Sequence, residues 1–212
     1  MQNKKFQIYN KFSTLTIITI LSILLLVTTQ EVSAFHQHKS PVQLFSDLSV
    51  VSGASSSLTT TDKQATFNLH TSQLMPNHAY TIWWVIFNHP EMCSHGPTES
   101  IRCGEGDLDV PAVNASVLYG DGKVINYKGT GNFNGKLKVD DTTGSLLGPG
   151  LINPQGADIH FIVHDHGRII KGLTREMTHT FGAGCNNAPE GTGTPGPNEC
   201  VDVQFSVHEQ QN

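Results

Sequence analysis

Residues 80–87 read YTIWWVIF, a run in which every position except Thr81 is apolar or aromatic. Side chains alternate between the two faces of a strand, so this run predicts a central strand that is buried on both faces. Trp83 and Trp84 then lie on opposite faces, and both are expected to pack in the core rather than to form a ligand platform.

Patterns of period two on either side of this run predict further strands. The segments expected to be strands are residues 65–69, 115–119, 124–127, 133–139, 159–164 and 177–181. A Gly-Asp-Gly turn at 120–122 is predicted to join two of them as a hairpin. In the last strand, residues 201–208, alternation predicts that the residues facing the core are Val201, Val203, Phe205 and Val207, and that those facing out are Asp202, Gln204, Ser206 and His208.

About eight or nine short strands, 20 Gly and 10 Pro predict an all-β fold. We expect a single β-sandwich, or a barrel-like variant, over residues 43–212. A loose polar segment at 35–42 is expected to precede it.

The N-terminus is typical of a secretory signal peptide. Lys4, Lys5 and Lys11 precede a mostly apolar run at 15–27, and Ala34 ends a tolerable cleavage sequence. Residues 1–34 are therefore predicted to be a signal helix, and the mature protein to be secreted or displayed at the cell surface. The alternative is an uncleaved anchor, the one case in which we expect a membrane contact.

Charge and cysteine content narrow the class of protein further. Loss of residues 1–34 leaves 10 Lys and Arg against 17 Asp and Glu, a net charge of −7 that disfavours nucleic-acid binding. Four cysteines in an exported chain predict two disulfides. Of three connectivities, the local pairs Cys93–Cys103 and Cys185–Cys200 are favoured because each closes a turn-rich loop.

A histidine cluster is the main chemical signal of the sequence. His160, His164 and His166 share one face of the strand that follows Ala157, and His164 and His166 are ~6.6 Å apart along it. Such a pair can present two nitrogens to Zn²⁺ or Cu²⁺, with a third ligand from a neighbouring strand. The third-ligand candidates are His179, His208 and His70, with Asp158 and Asp165 as residues that could orient the rings. A polar surface strand or a pH-sensitive surface would explain the same histidines.

Other signals are weaker. Cleavage one residue after Ala34 would make His36 the first residue, an arrangement that can chelate copper. The sequon at 114–116 marks Asn114 as a candidate glycosylation site. Ser94 beside His95 is not the signature of a catalytic triad, and no nucleotide-binding or nucleophile-elbow motif is present in the sequence.

Four stretches together resemble a group of uncharacterised secreted β-domain proteins of bacteria and archaea. They are residues 79–93, 115–119, 156–167 and 200–208. The resemblance spans roughly residues 69–208 and implies one exported β domain with paired cysteines; it implies no activity. In that group the position of His164 is often Arg, whereas His160 and His166 fit the pattern.

The leading interpretation is a disulfide-stabilised binding or structural module without catalysis, whose partner is an extracellular ligand or a cell-surface molecule. It requires no cofactor. The alternative is an extracytoplasmic Cu- or Zn-binding protein or metalloenzyme centred on His164 and His166. A carbohydrate or lipid binder would need exposed aromatic residues on one sheet face, for example Tyr119, Tyr127 or one of the tryptophans.

Overall fold

The computed structural model describes residues 36–210, and the predicted signal peptide lies outside this range. The strands in this range are β1 (His36–Ser40), β2 (Gln43–Leu44), β3 (Ser55–Thr60), β4 (Gln64–Thr71), β5 (His78–Phe87), β6 (Ala115–Val124), β7 (Gly131–Lys138), β8 (Ser145–Leu147), β9 (Asp158–Arg168) and β10 (Val201–His208). One helical turn, α1 (Thr174–Met177), precedes β10. Within residues 36–210 no helix is long and apolar enough to span a membrane.

The strands form two antiparallel sheets. One has the order β1-β3-β4-β7 and the other the order β2-β10-β9-β5-β6-β8. The prediction of an all-β sandwich is confirmed, with ten strands in the described range rather than eight or nine.

The central strand β5 behaves as its sequence predicts. It pairs with β9 on one side and with β6 on the other, and it is buried over almost all of its length. Trp84 points between the sheets, where its ring lies 5.0 Å from that of Phe67 and 4.9 Å from that of Phe161. Trp83 points to the opposite face of the six-stranded sheet, which no second sheet covers in the described structure.

Three local predictions are wrong. Residues 36–40 are not loose, because all five pair with β3 as β1. Residues 115–124 form one continuous strand and not two strands joined by a hairpin turn at 120–122. Glycine at position 122 allows the backbone of Thr178 to approach the strand closely, since a Cβ on Gly122 would lie 2.1 Å from the carbonyl oxygen of Thr178. Residues 177–181 are not a strand, because Met177 ends α1 and the chain then turns.

In β10 the predicted inward face is confirmed for Val203, which packs against the core, but most of the other predicted faces are wrong. Gln204, Ser206 and His208 are fully buried between the sheets, whereas Val201 is 52% exposed. A bulge between Asp202 and Gln204 shifts the register against β9.

Polar partners on the facing sheet satisfy these inward groups. The Ser206 hydroxyl donates to Ser56 Oγ at 2.9 Å, and His208 Nε2 lies 2.8 Å from the same oxygen. Burial, together with the nearby rings of His38 and His160, lowers the pKa of His208 to about 3. A buried polar seam therefore joins the two sheets at this end.

Candidate functional site

The outer face of the six-stranded sheet carries a groove of about 580 Å³. Its floor comes from adjacent strands, with Trp83 and Val85 on β5 and His160 and Ile162 on β9. Much of the remaining lining is apolar, including the partly exposed Leu147 on β8. Pockets of this size and composition are typical of small-molecule sites.

One wall of the groove includes Cys103 and the loop that the first disulfide closes, and another includes Phe181 and Asp202, which lie close in sequence to the second disulfide. Cys93 is joined to Cys103 and Cys185 to Cys200, the local pairing that the sequence favours. The first loop contributes His95 to the lining. The second bond is flanked in sequence by Phe181 and Asp202, which also line the groove. Closing such loops restricts the unfolded chain, and each disulfide contributes roughly 3 kcal/mol in the chain-entropy model. Two disulfides indicate an oxidising, extracytoplasmic setting.

Beneath one wall, Trp83 begins a chain of hydrogen bonds. Its Nε1–H donates to Thr81 Oγ1 at 2.8 Å, and the Thr81 hydroxyl donates to His166 Nε2 at 2.9 Å. His166 Nδ1–H donates in turn to the carbonyl oxygen of Ala183 at 3.0 Å. Burial, with a smaller contribution from His164, lowers the pKa of His166 to about 4. The His166 ring is therefore neutral, with both nitrogens in use.

His164 is held differently. Its Nδ1–H donates to an Asp202 carboxylate oxygen at 2.6 Å, and its ring stacks on Phe181 with centroids 4.5 Å apart. Its Nε2 is buried without a hydrogen-bond partner. A carboxylate on one nitrogen fixes the tautomer and leaves a lone pair on the other.

His160 is the buried polar group on the groove floor. Its ring packs edge-on against Phe87 with centroids 5.0 Å apart, and its Nε2 has no hydrogen-bond partner in the described structure. Burial lowers its pKa to about 4, so the ring is neutral at pH 7. A buried nitrogen without a hydrogen-bond partner costs free energy.

Among the histidines predicted as metal ligands, His160, His164, His166 and His179 above all, the described structure brings together His164 and His166. Ligand atoms of His164, His166, Cys185 and Cys200 all lie within 4.8 Å of one another, whereas neither His160 nor His179 belongs to this group. In this oxidised state the two sulfurs form a disulfide and His166 has no free nitrogen.

The other histidine candidates lie in separate environments. His179 is exposed and stacks on Tyr119, with its Nδ1–H donating to the carbonyl oxygen of Arg175. His70 pairs with Asn132 on the other sheet, and His208 belongs to the seam between the sheets.

Neither predicted orienting carboxylate contacts the pair His164 and His166. Asp158 forms an ion pair with Arg102, with Nε and Oδ2 3.2 Å apart. Burial raises the pKa of Asp158 to about 6, although the guanidinium acts against this shift. Asp165 accepts hydrogen bonds from His78 and from the hydroxyl of Tyr80.

A second histidine–carboxylate pair lies on the opposite wall. His95 Nδ1–H donates to Asp107 at 2.9 Å, and the Ser94 hydroxyl lies 3.2 Å from that same nitrogen. Burial tends to raise the pKa of Asp107, but hydrogen bonds from the Ser94, His95 and Gly104 amides and from the His95 ring outweigh it and lower the pKa. Because Ser94 and Asp107 share one ring nitrogen, the three residues do not form a relay of the serine-hydrolase type.

The aromatic candidates that the sequence suggested, Trp83, Tyr119 and Tyr127, do not together form an exposed platform. Trp83 is nearly buried, and Tyr119 donates its hydroxyl proton to the carbonyl oxygen of Thr178. Tyr127 is exposed but lies outside the groove lining. Asn114, the candidate glycosylation site, is half-buried with a left-handed φ of 53° just before β6.

No protein-family model, curated protein or solved structure matches this chain. The resemblance to secreted β-domain proteins therefore stays a prediction, and the geometry of the site carries the functional argument.

Proposed function

We propose that the protein is an exported binding module that holds a small, largely apolar molecule in the groove on its six-stranded sheet. The observation that carries this proposal is the groove itself: a largely apolar hollow bordered on one side by the Cys93–Cys103 loop and on another by Phe181 and Asp202, with the ring of His160 on its floor. Export rests on the signal-like N-terminus and on the two disulfides.

The ligand would match this lining. An apolar body would cover Trp83, Val85 and Ile162 and would also contact the ring of His160. Asp202 and Glu105 line the groove, and the chain is acidic. A neutral or cationic ligand is therefore preferred to an anionic one.

Fluorescence titration with two probes tests the proposal. N-phenyl-1-naphthylamine is neutral and apolar, whereas anilinonaphthalene sulfonate is a comparable anionic dye. We expect saturable binding of the neutral probe with energy transfer from tryptophan, and weaker binding of the anionic one.

Two matched double variants separate the groove from the rest of the apolar surface. Leu146→Glu/Leu147→Glu places charge in the groove, and Ile152→Glu/Ile169→Glu places it elsewhere on residues of similar exposure, 41% and 39% against 42% and 39%. The first variant should lose probe binding and the second should keep it. Equal behaviour of the two variants, or no saturable binding by the native protein, would contradict the proposal.

The alternative, a copper or zinc protein centred on His164 and His166, is favoured by the closeness of these rings, whose centroids are 4.8 Å apart. The metal content of the purified oxidised protein tests it, with His164→Ala/His166→Ala as the comparison. The absence of stoichiometric metal at neutral pH would end this alternative.

A further inference from the structure

The Cys185–Cys200 disulfide lies directly beside two histidines. Cys185 Sγ is 3.8 Å from His166 Nδ1, and one ligand atom from each of His164, His166, Cys185 and Cys200 fits within 4.8 Å. All four residues are buried. Two cysteines and two histidines make a donor set that tetrahedral Zn²⁺ prefers.

We propose that reduction of the Cys185–Cys200 disulfide converts this cluster into a Cys₂His₂ site for Zn²⁺. In thiol–disulfide exchange, a dithiol reductant is oxidised to its own disulfide while Cys185 and Cys200 become two thiols. Each thiol loses a proton when it binds the ion. Two thiolates and two neutral imidazoles then compensate the charge of Zn²⁺. This inference is independent of the groove.

His164 is already prepared as a ligand. Asp202 occupies its Nδ1, and the other nitrogen, Nε2, is buried without a partner and is therefore free to bind. A carboxylate on the remote nitrogen of a histidine ligand is the usual support for bound zinc, because it fixes the ring and raises its basicity. Asp202 is thus a positioning residue in this site.

His166 would have to exchange one hydrogen bond. Binding through Nδ1 releases the carbonyl oxygen of Ala183 and requires the ring proton to move from Nδ1 to Nε2. That Nε2–H can donate to Thr81 Oγ1, which lies 2.9 Å away and also accepts from Trp83. One lost hydrogen bond is a modest cost beside four metal–ligand bonds.

The experiment compares the oxidised and the reduced form of the chain without residues 1–34. Zn²⁺ is added with and without the phosphine reductant tris(2-carboxyethyl)phosphine, and bound zinc is counted by native mass spectrometry. We expect one zinc per reduced chain and none on the oxidised chain. Co²⁺ in place of Zn²⁺ should show thiolate charge-transfer bands and the visible bands of a tetrahedral site.

Matched variants identify the site. Cys185→Ser/Cys200→Ser should lose the zinc, whereas Cys93→Ser/Cys103→Ser, which removes the other disulfide, should retain it. Asp202→Asn keeps all four ligands and should weaken zinc binding by about tenfold or more. His164→Ala should lose the tetrahedral cobalt spectrum, and His179→Ala should leave it unchanged.

Three results would overturn the proposal. These are equal zinc on oxidised and reduced protein, no zinc on reduced protein, or zinc on reduced protein that neither His164→Ala nor Asp202→Asn weakens. The last result would mean that two thiolates of an unfolded segment bind the ion by themselves, and circular dichroism of the same samples would show that unfolding.

Discussion

Replacing His160 by leucine should stabilise the protein while impairing the groove. The ring is buried, its Nε2 has no partner, and its pKa is lowered to about 4 from 6.5. Removing a buried polar atom that makes no hydrogen bond recovers part of a cost of about 1–3 kcal/mol. We therefore expect His160→Leu to raise the free energy of unfolding at pH 7.5 by about 1 kcal/mol.

The dependence of stability on pH gives a second test of this prediction. The folded-state pKa lies below the unfolded-state value, so the unfolded chain binds more protons between these values and stability falls as the pH drops from about 6.5 towards 4. At pH 4.5 the presence of His160 should lower the free energy of unfolding by roughly 2–3 kcal/mol more than it does at pH 7.5. The advantage of His160→Leu should widen by that amount.

Urea unfolding at the two pH values, followed by tryptophan fluorescence with the disulfides intact, measures both quantities. His89→Leu is the control, because His89 is exposed and pairs only loosely with Glu91 at 3.4 Å. It should change stability by less than about 1 kcal/mol at either pH. If His160→Leu is less stable than the native protein at pH 7.5, and the difference does not widen in acid, the reasoning about an unpaired buried imidazole is wrong.

Three further variants test other parts of the structure by the same urea assay. Thr81→Val should lower the free energy of unfolding by about 2–4 kcal/mol, because it leaves the indole N–H of Trp83 and Nε2 of His166 unpaired; a loss below about 0.5 kcal/mol would contradict the hydrogen-bond chain. Gly122→Ala should be destabilising by more than about 1 kcal/mol, because the added Cβ would lie 2.1 Å from a carbonyl oxygen; native-like stability would refute that close approach. Cys93→Ser/Cys103→Ser should cost about 3 kcal/mol and weaken binding of the neutral probe, and unchanged probe affinity would show that this loop does not shape the groove.

The sequence predicts the centre of this fold well. Residues 80–87 are apolar on both faces, and only a central strand in a layered sheet buries both, so the position of β5 follows directly. The burial of residues 159, 161 and 163 is predicted equally well from the sequence. All three lie in the core between the sheets.

The ends of the sheet are less predictable because tertiary contacts outweigh the local pattern. In β10 the alternation of valines and polar residues favours the opposite orientation. The bulge beside Asp202 and the partners offered by Thr71 and Ser56 bury the polar side instead. The alternation of side chains along one strand contains no information about the polar groups that a facing sheet presents.

The candidate site, like the fold, is predicted only in part by the sequence. Alternation along β9 places His160, His164 and His166 on one face, as predicted. The residues that decide their chemistry come from elsewhere: Asp202 lies opposite His164 only through the pairing of β10 with β9. Phe181 and Thr81 likewise reach these rings through tertiary packing, so local spacing gives no signal for them.

Binding of a small apolar molecule in the groove on the six-stranded sheet can be tested with the two tryptophans as internal reporters. Trp83 lines the groove and Trp84 lies between the sheets, and the chain has no other tryptophan. Nuclear magnetic resonance of the two indole N–H groups during titration with N-phenyl-1-naphthylamine reads both positions at once. We expect a saturable shift of the Trp83 resonance with little change at Trp84. No shift at Trp83, or equal shifts at both residues, would contradict it.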